Sequence, residues 1–342
     1  MGLLIDMIDV GEGDSFLLTI DGPTGEAHVL IDAGLPEAGK TVLTYLNRFA
    51  ASGLDMVIAT HIDNDHVGGL ATILTHARLK QNAYFILNVP PAIKKRWAPA
   101  RNTLEKYKGV VSFRRVIEAV DTVKTISALA NQRGMITSEA LQGQYWKCGA
   151  VALNVLNPTP ARLAAAWEEN NLDSYIRAGW DAAIVSVLES VAQAPPTSAE
   201  NDSSIVIEIT LDGVPCALMA SDAGAAVLKE VTKNKSYRFL KVPHHGSDTG
   251  LDDELIKQMR PRIAAIPVGE NPHGHPSVEI LDRLRKAGAV TYCSSKTKDC
   301  RKSCTREGGH ISFPIGRPLR PRWIAVDITQ CKNNLSPATA SK

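Results

Sequence analysis

One segment constrains this chain more than any other. Thr60-His61-Ile62-Asp63-Asn64-Asp65-His66-Val67-Gly68-Gly69 sets two imidazoles and two carboxylates within six positions, directly after the apolar run Met56-Val57-Ile58-Ala59. That run has the length and composition of a buried strand, so the polar residues sit at a strand end. Ordering four desolvated, potentially charged side chains in one turn is unfavourable unless divalent cations compensate them. A solvated Asp-rich turn accounts for the polar residues alone. It predicts neither the flanking strand nor the Gly68-Gly69 pair, which lets backbone approach closely where side chains converge. The segment predicts a metal-binding loop.

The pattern His61-x-Asp63-x-Asp65-His66 resembles the signature of the metallo-β-lactamase superfamily, His-x-His-x-Asp-His after a strand, with Asp63 where most members carry the second His. That substitution resembles the branch typified by the hydrolase domain of the ComEC competence protein, and further segments match that branch in the same order. They are Ile8-Asp9-Val10-Gly11-Glu12-Gly13-Asp14-Ser15, Leu30-Ile31-Asp32-Ala33-Gly34, Asn201-Asp202-Ser203-Ser204-Ile205-Val206 and Leu218-Met219-Ala220-Ser221-Asp222. Two more follow, Leu240-Lys241-Val242-Pro243-His244-His245-Gly246-Ser247 and Asn271-Pro272-His273-Gly274-His275-Pro276. The resemblance covers roughly residues 5–316. Glu12 stands where the family has Gln, and Ala220-Ser221-Asp222 where it has Thr-Gly-Asp; neither change removes a ligand.

The resemblance implies an α/β fold, the metallo-β-lactamase αββα sandwich with helical and loop insertions, holding two divalent metal ions. His61 and Asp63 would bind one ion and Asp65 and His66 the other, with Asp222 bridging. His244 is the expected last ligand because it follows the strand expected at 239–242, with His245 facing substrate. The family's additional His ligand is missing, and Asn201 or Asp202 would have to serve there. An oxygen-rich site suits Mn²⁺ or Mg²⁺ better than Zn²⁺, so Mn²⁺ is the expected activator, although Zn²⁺ can be bound on purification. Two ions roughly 3.5–4 Å apart lower the pKa of a bridging water and stabilise attacking and leaving oxygens, which suits attack on a phosphodiester. Asp65, Lys241, His245 and His275 are expected to act in catalysis, His275 as a phosphate contact or proton donor. Ser247 and Asn201 would touch substrate, and Asp9, Asp14 and Asp32 would brace the metal loop from behind.

Net charge is only +2 but unevenly placed. Residues 78–115 hold ten Lys/Arg against Glu105, and residues 283–306 hold eight against Asp299. Such clustering, with Lys94, Lys95 and Arg96 at its centre, suits a polyanion such as nucleic acid; two solvated faces would carry the same charge. The leading expectation is therefore a metal-dependent phosphodiesterase, a nuclease acting on DNA. Alternatives are a small-molecule hydrolase of a lactone, thioester, amide or cyclic nucleotide, and a non-catalytic metal-binding partner in a defence, uptake or DNA-processing system.

The 342 residues, 44% of them hydrophobic, can bury one large core. Because the motifs run from residue 9 to residue 275, one catalytic domain over 1–330 is expected, with insertions near 90–118 and 158–200 and a polar tail at 331–342. Strands are expected at 16–20, 28–32 and 56–59, and helices at 39–52, where Val42, Leu43, Leu46 and Phe49 share a face, and from His66 to Ala77. No apolar run approaches the ~20 residues that span a bilayer. Asp6 and Asp9 interrupt the opening apolar run, so export is not expected and a cytoplasmic location is. Cys293, Cys300, Cys304 and His310 lie in a basic hairpin at 293–310; they read as unrelated thiols, a structural zinc site or a disulfide-linked loop.

Overall fold

The computed structural model describes residues 2–109, 111–167, 199–295, 297, 306–307 and 309–316. Within them two mixed sheets lie face to face. The strands are β1 (Gly2–Met7), β2 (Phe16–Gly22), β3 (Gly25–Ile31), β4 (Leu54–Ala59), β5 (Leu79–Leu87), β6 (Ile136–Ser138), β7 (Tyr145–Cys148) and β8 (Val151–Asn157). They continue with β9 (Val206–Leu211), β10 (Val214–Met219), β11 (Phe239–Lys241), β12 (Ile263–Ile266), β13 (Val290–Cys293), β14 (Arg306–Glu307) and β15 (Ile311–Gly316). One sheet has the order β15-β1-β2-β3-β4-β5-β6 and the other β14-β13-β12-β11-β10-β9-β8-β7.

Strand alternation builds three apolar layers. Leu3, Ile5, Phe16, Leu18 and Ile31 meet Leu153, Val155, Ile207, Ile209 and Phe239 between the sheets. The intervening Leu17, Leu30 and Val57 face the other way, onto Val42 and Leu46 of the helix Gly39–Phe49 and Val120 and Ile126 of the helix Val111–Gln132. On the far side Leu218, Leu240 and Ala264 pack against Leu228, Leu255, Ile280 and Leu284. Burying each large side chain of this kind contributes about 1.5–3 kcal/mol. The expected αββα arrangement is present.

The topology places the site. β3 to β6 run parallel, and so do β10 to β14. Parallel neighbours need crossovers, which here include the helices Gly39–Phe49, Leu70–His76, Ala225–Val231, Asp253–Met259 and Val278–Lys286. The carboxyl ends of β4, β10 and β11 deliver the loops at 60–66, 220–222 and 242–247. No helix among the described residues is long and apolar enough to cross a membrane.

Several expectations are revised. The helix expected from His66 to Ala77 is two, Asn64–Val67 and Leu70–His76, broken at the glycine pair. A Cβ on Gly68 would lie 2.5 Å from the Asn64 carbonyl oxygen, and one on Gly69 would lie 2.2 Å from that of Ala33. In the stretch 90–118, Ile93, Trp97, Leu104, Val116 and Ile117 join the helix–sheet core, and its end falls inside the helix Val111–Gln132. Of the insertion at 158–200, the helix Pro160–Ala165 and the turn Ala199–Asp202 are described, and the 168–198 segment and the 331–342 tail lie outside the described residues.

Candidate metal centre

Five loops converge at one end of the sandwich. The first follows β1, where Gly11 and Gly13 adopt left-handed φ of 74° and 108° and deliver Asp14. A side chain at Gly13 would collide with the Asp65 carbonyl, 1.9 Å from its Cβ, and Asp14 N–H donates to that carbonyl at 3.2 Å. The second loop ends β3 at Asp32, whose carboxylate accepts from Thr60 N–H at 2.8 Å and Thr60 Oγ1 at 2.7 Å. The third is the metal loop itself. The last two cross from the other sheet with Asp222 and His245.

Left-handed backbone clusters here at residues that ordinarily avoid it: Asp32 (φ 56°), Ser221 (48°), His244 (50°) and His245 (51°). Such conformations cost of order 1–3 kcal/mol each and persist where the surroundings over-determine them. Their effect is to turn His245 inward. Its Nε2 lies 3.1 Å from Asp65 Oδ2 and 3.5 Å from Asp222 Oδ2, while Nδ1 faces Asp14 Oδ1 at 3.2 Å and the Pro267 carbonyl at 3.0 Å. His66 is fully buried, with Nδ1 2.8 Å from Asp32 Oδ2 and Nε2 3.5 Å from Asp222 Oδ2 and 3.9 Å from Asp65 Oδ2. Asp14, His66, Asp222 and His245 offer ligand atoms all within 4.8 Å of one another.

His61 packs its ring 4.1 Å from that of His66 and points Nε2 towards Asp63 Oδ2, 3.7 Å away. Asp63 is the N-cap of the helix Asn64–Val67, yet its side chain makes no capping bond, although Asp is among the best capping residues.

This donor set fits divalent metal. The buried Nε2 atoms of His61, His66 and His245 face carboxylate oxygens at 3.1–3.9 Å without a well-directed hydrogen bond, and His244 Nδ1 likewise has no partner, an arrangement that costs free energy unless something else coordinates them. The electrostatics agree. Burial alone would lower the pKa of His66 and His245, but Asp222 foremost, with Asp14 and Asp65, raises both well above the usual histidine value. Burial would raise Asp65 and Asp222; the same imidazoles hold both below the carboxylate norm, with Lys241 contributing at Asp222. A site that favours positive charge so strongly favours a divalent cation for the same Coulombic reason.

Other expected residues take different places. His245 is the imidazole of the pair that comes to Asp65 and Asp222, while the ring of His244 lies beside that of His275, centroids 5.5 Å apart, with a buried Nδ1 that also has no hydrogen-bond partner. Burial first, then His244 and His245, push the pKa of His275 down to about 4. Lys241, expected to act on substrate, is 1% exposed and bonds Asp14, Asp222 and the Ser221 carbonyl. Asp14, expected only to brace, joins the cluster itself. Asp9 instead ties the first loop to the final strand: its N–H donates to His310 Nδ1 at 3.0 Å. Ser247 pairs with Thr249 at 3.0 Å, Asn201 is buried, and Asp202 accepts from Gly224 N–H at 3.1 Å.

Lys94, Lys95 and Arg96 are exposed, with Lys94 paired to Glu139 at 3.2 Å. The 93–97 turn that bears them begins just after Pro90, which lines a small cleft with His61, Thr60, Trp167 and Glu200. Cys293 is buried and disulfide-bonded; a disulfide sulfur is no thiolate for zinc, so the crosslinked alternative fits this residue. Cys300 and Cys304 lie outside the described residues.

Residues 8–81 match the family described as Metallo-beta-lactamase superfamily, and the two-sheet sandwich with its buried Asp–His cluster fits the fold of such metal-dependent hydrolases. The chain is similar to ComE operon protein 3 of Bacillus subtilis, 25% identical over 301 residues, covering 82% of this chain and 30% of that protein. Recombination protein 2 of Haemophilus influenzae is 24% identical over 289 residues, covering 82% and 26%. The chain thus spans under a third of the length of these curated relatives. Similar solved structures include a metallo hydrolase from Ignicoccus hospitalis (15% identity, TM-score 0.42, covering 91% of this chain and 98% of that one). Another is the metallo-beta-lactamase fold protein YhfI from Bacillus subtilis (9% identity, TM-score 0.43, the same coverage).

Proposed function

We propose that this protein is a metal-dependent phosphodiesterase, a nuclease acting on DNA. The observation that carries the reading is the set of unpartnered imidazole nitrogens facing carboxylate oxygens from both sheets. His61 and Asp63 would hold one ion, and Asp65, His66 and His245 the other, with Asp222 Oδ2 between the two imidazoles of the second group. What divalent ions supply in such a centre is a water of lowered pKa and stabilisation of charge on attacking and leaving oxygens.

The remaining tasks fall to the chain. Asp32 fixes the ring of His66, and Asp14 with the Pro267 carbonyl fixes that of His245. His275, with a buried Nδ1 that has no hydrogen-bond partner, would contact a substrate phosphate through a ring nitrogen. Lys95 and Arg96, both exposed, would supply attraction for a polyanion. A relative named for recombination, a transaction of nucleic acid, agrees with that substrate class. The residue set accommodates Mn²⁺, Zn²⁺ or Mg²⁺, and a carboxylate at Asp63 favours Mn²⁺.

The deciding experiment incubates the protein with single-stranded, duplex and plasmid DNA, RNA, cyclic dinucleotides and a lactone under Mn²⁺, Mg²⁺ or Zn²⁺. Cleavage of DNA with metal, abolished by chelator, is expected. Turnover of the lactone alone would replace this reading with small-molecule hydrolysis.

A further inference from the structure

The geometry points to Lys241 as a positioning residue that restricts Asp222 to one metal-facing oxygen and thereby sets which metal the centre prefers. The inference rests on the metal-centre reading above. Lys241 ends β11 and is 1% exposed. Its Nζ lies 3.2 Å from Asp222 Oδ1, 2.6 Å from Asp14 Oδ2 and within hydrogen-bond reach of the Ser221 carbonyl. An ammonium has three N–H groups, and all three are taken.

The division of oxygens is the telling feature. Asp222 gives Oδ1 to Lys241 and leaves Oδ2 3.5 Å from both His66 Nε2 and His245 Nε2. Asp14 does the same, giving Oδ2 to Lys241 and Oδ1 to His245 Nδ1 at 3.2 Å. One ammonium therefore holds Asp222 in a single-oxygen mode and, through Asp14, sets the ring of His245. It also ties the loop after β1 in one sheet to β11 in the other.

A carboxylate limited to one oxygen lowers the coordination number available to an ion. Low coordination numbers favour Zn²⁺ and tetrahedral Co²⁺; higher ones built from oxygen favour Mn²⁺. Lys241 thus offsets part of the Mn²⁺ preference that Asp63 confers.

The test compares the parent protein with Lys241→Met and Lys241→Gln. Co²⁺ absorption in the visible reports coordination number, and competition between Zn²⁺ and Mn²⁺ reports preference. Lys241→Met should weaken the Co²⁺ band and shift the Zn²⁺/Mn²⁺ affinity ratio about tenfold or more towards Mn²⁺, the scale seen for residues that orient metal ligands. Lys241→Gln, which keeps a donor for Oδ1, should retain the parent's band. Identical spectra and ratios in folded Lys241→Met and parent overturn the inference. So does failure of both variants to fold with metal supplied, which would make the ammonium a folding requirement. A parent that binds no Co²⁺ would instead sink the metal centre itself.

Discussion

Asp32 and His66 form the most enclosed contact of the centre: carboxylate Oδ2 and imidazole Nδ1 lie 2.8 Å apart, and both side chains are fully buried. With Nδ1 committed to that carboxylate, the ring turns Nε2 towards Asp222. Orienting partners of this kind are worth 10–100-fold in metal affinity or activity, so Asp32→Asn should weaken metal binding by about that factor. Competition with a coloured chelator measures it; parent-like affinity would mean that Asp32 serves only Thr60.

Asp65→Ala and His66→Ala should each abolish hydrolysis and leave far-ultraviolet circular dichroism unchanged, since both act at the centre and neither belongs to the three apolar layers. Metal content and activity are measured together. Near-full turnover with unchanged metal would remove both residues from the mechanism.

Asp63→His should move metal preference towards Zn²⁺, because imidazole suits that ion and carboxylate suits Mn²⁺. Asp63 caps no backbone group and faces His61 at 3.7 Å, so the exchange leaves the local helix without a lost bond. Activity with each metal before and after the change is the readout, and an unaltered profile means that Asp63 is no ligand.

Replacing Lys94, Lys95 and Arg96 together with Ala should flatten the salt dependence of DNA binding, as each neutralised phosphate contributes about −0.9 to the slope of log affinity against log salt. Lys94 already pairs with Glu139, so most of the effect should come from Lys95 and Arg96. Turnover of a small chromogenic phosphodiester should stay near the parent's. A triple variant with the parent's slope would make this cluster a solvated face.

His310 supplies a pH test away from the centre. It is 5% exposed, and burial pushes its pKa down from 6.5 to about 4. Below about 6.5 the unfolded chain takes up a proton at this residue that the folded one refuses until about 4. Stability is therefore lost as pH falls through that window and is unaffected by this group above it. The loss is at most about 3 kcal/mol, at about 1.36 kcal/mol per tenfold difference in proton affinity. Urea unfolding of parent and His310→Gln between pH 4 and 7 checks it: the gap between the two curves should change across the window. A constant gap excludes His310 as a source of acid lability.

The loop at 60–66 was legible because its chemistry is local: ligand spacing, the preceding strand and the glycine pair all lie within one short stretch. The sandwich followed from the strand and helix periods and from the resemblance. The approach of His245 to Asp65 and Asp222 was not legible, because it depends on two consecutive left-handed residues that the sequence Pro243-His244-His245-Gly246 does not announce. Asp14 joins the centre because Gly13 lets its loop sit on the Asp65 backbone, a contact between residues 52 positions apart along the chain. The basic stretch at 78–115 looked uniform as sequence. In three dimensions Arg101 is paired with Asp121 at 2.6 Å and Lys108 with Glu105 at 3.1 Å, so only part of its charge faces outward unspent.

The pairing of β1 with β15 bears on how this chain matures as it is made. Leu3, Ile5 and Met7 face Ile315, Phe313 and Ile311 in register, and the two-residue neighbourhood of Asp9 is held by His310. β1 must wait for a strand that emerges from the ribosome some three hundred residues later. Until then β1, paired with β2 on one side, leaves its other edge bare. The loop carrying Asp14 hangs from that same strand. During synthesis, then, the sheet edge from which that loop hangs is closed only when the 311–316 segment docks, and until it does the nascent chain is open to aggregation.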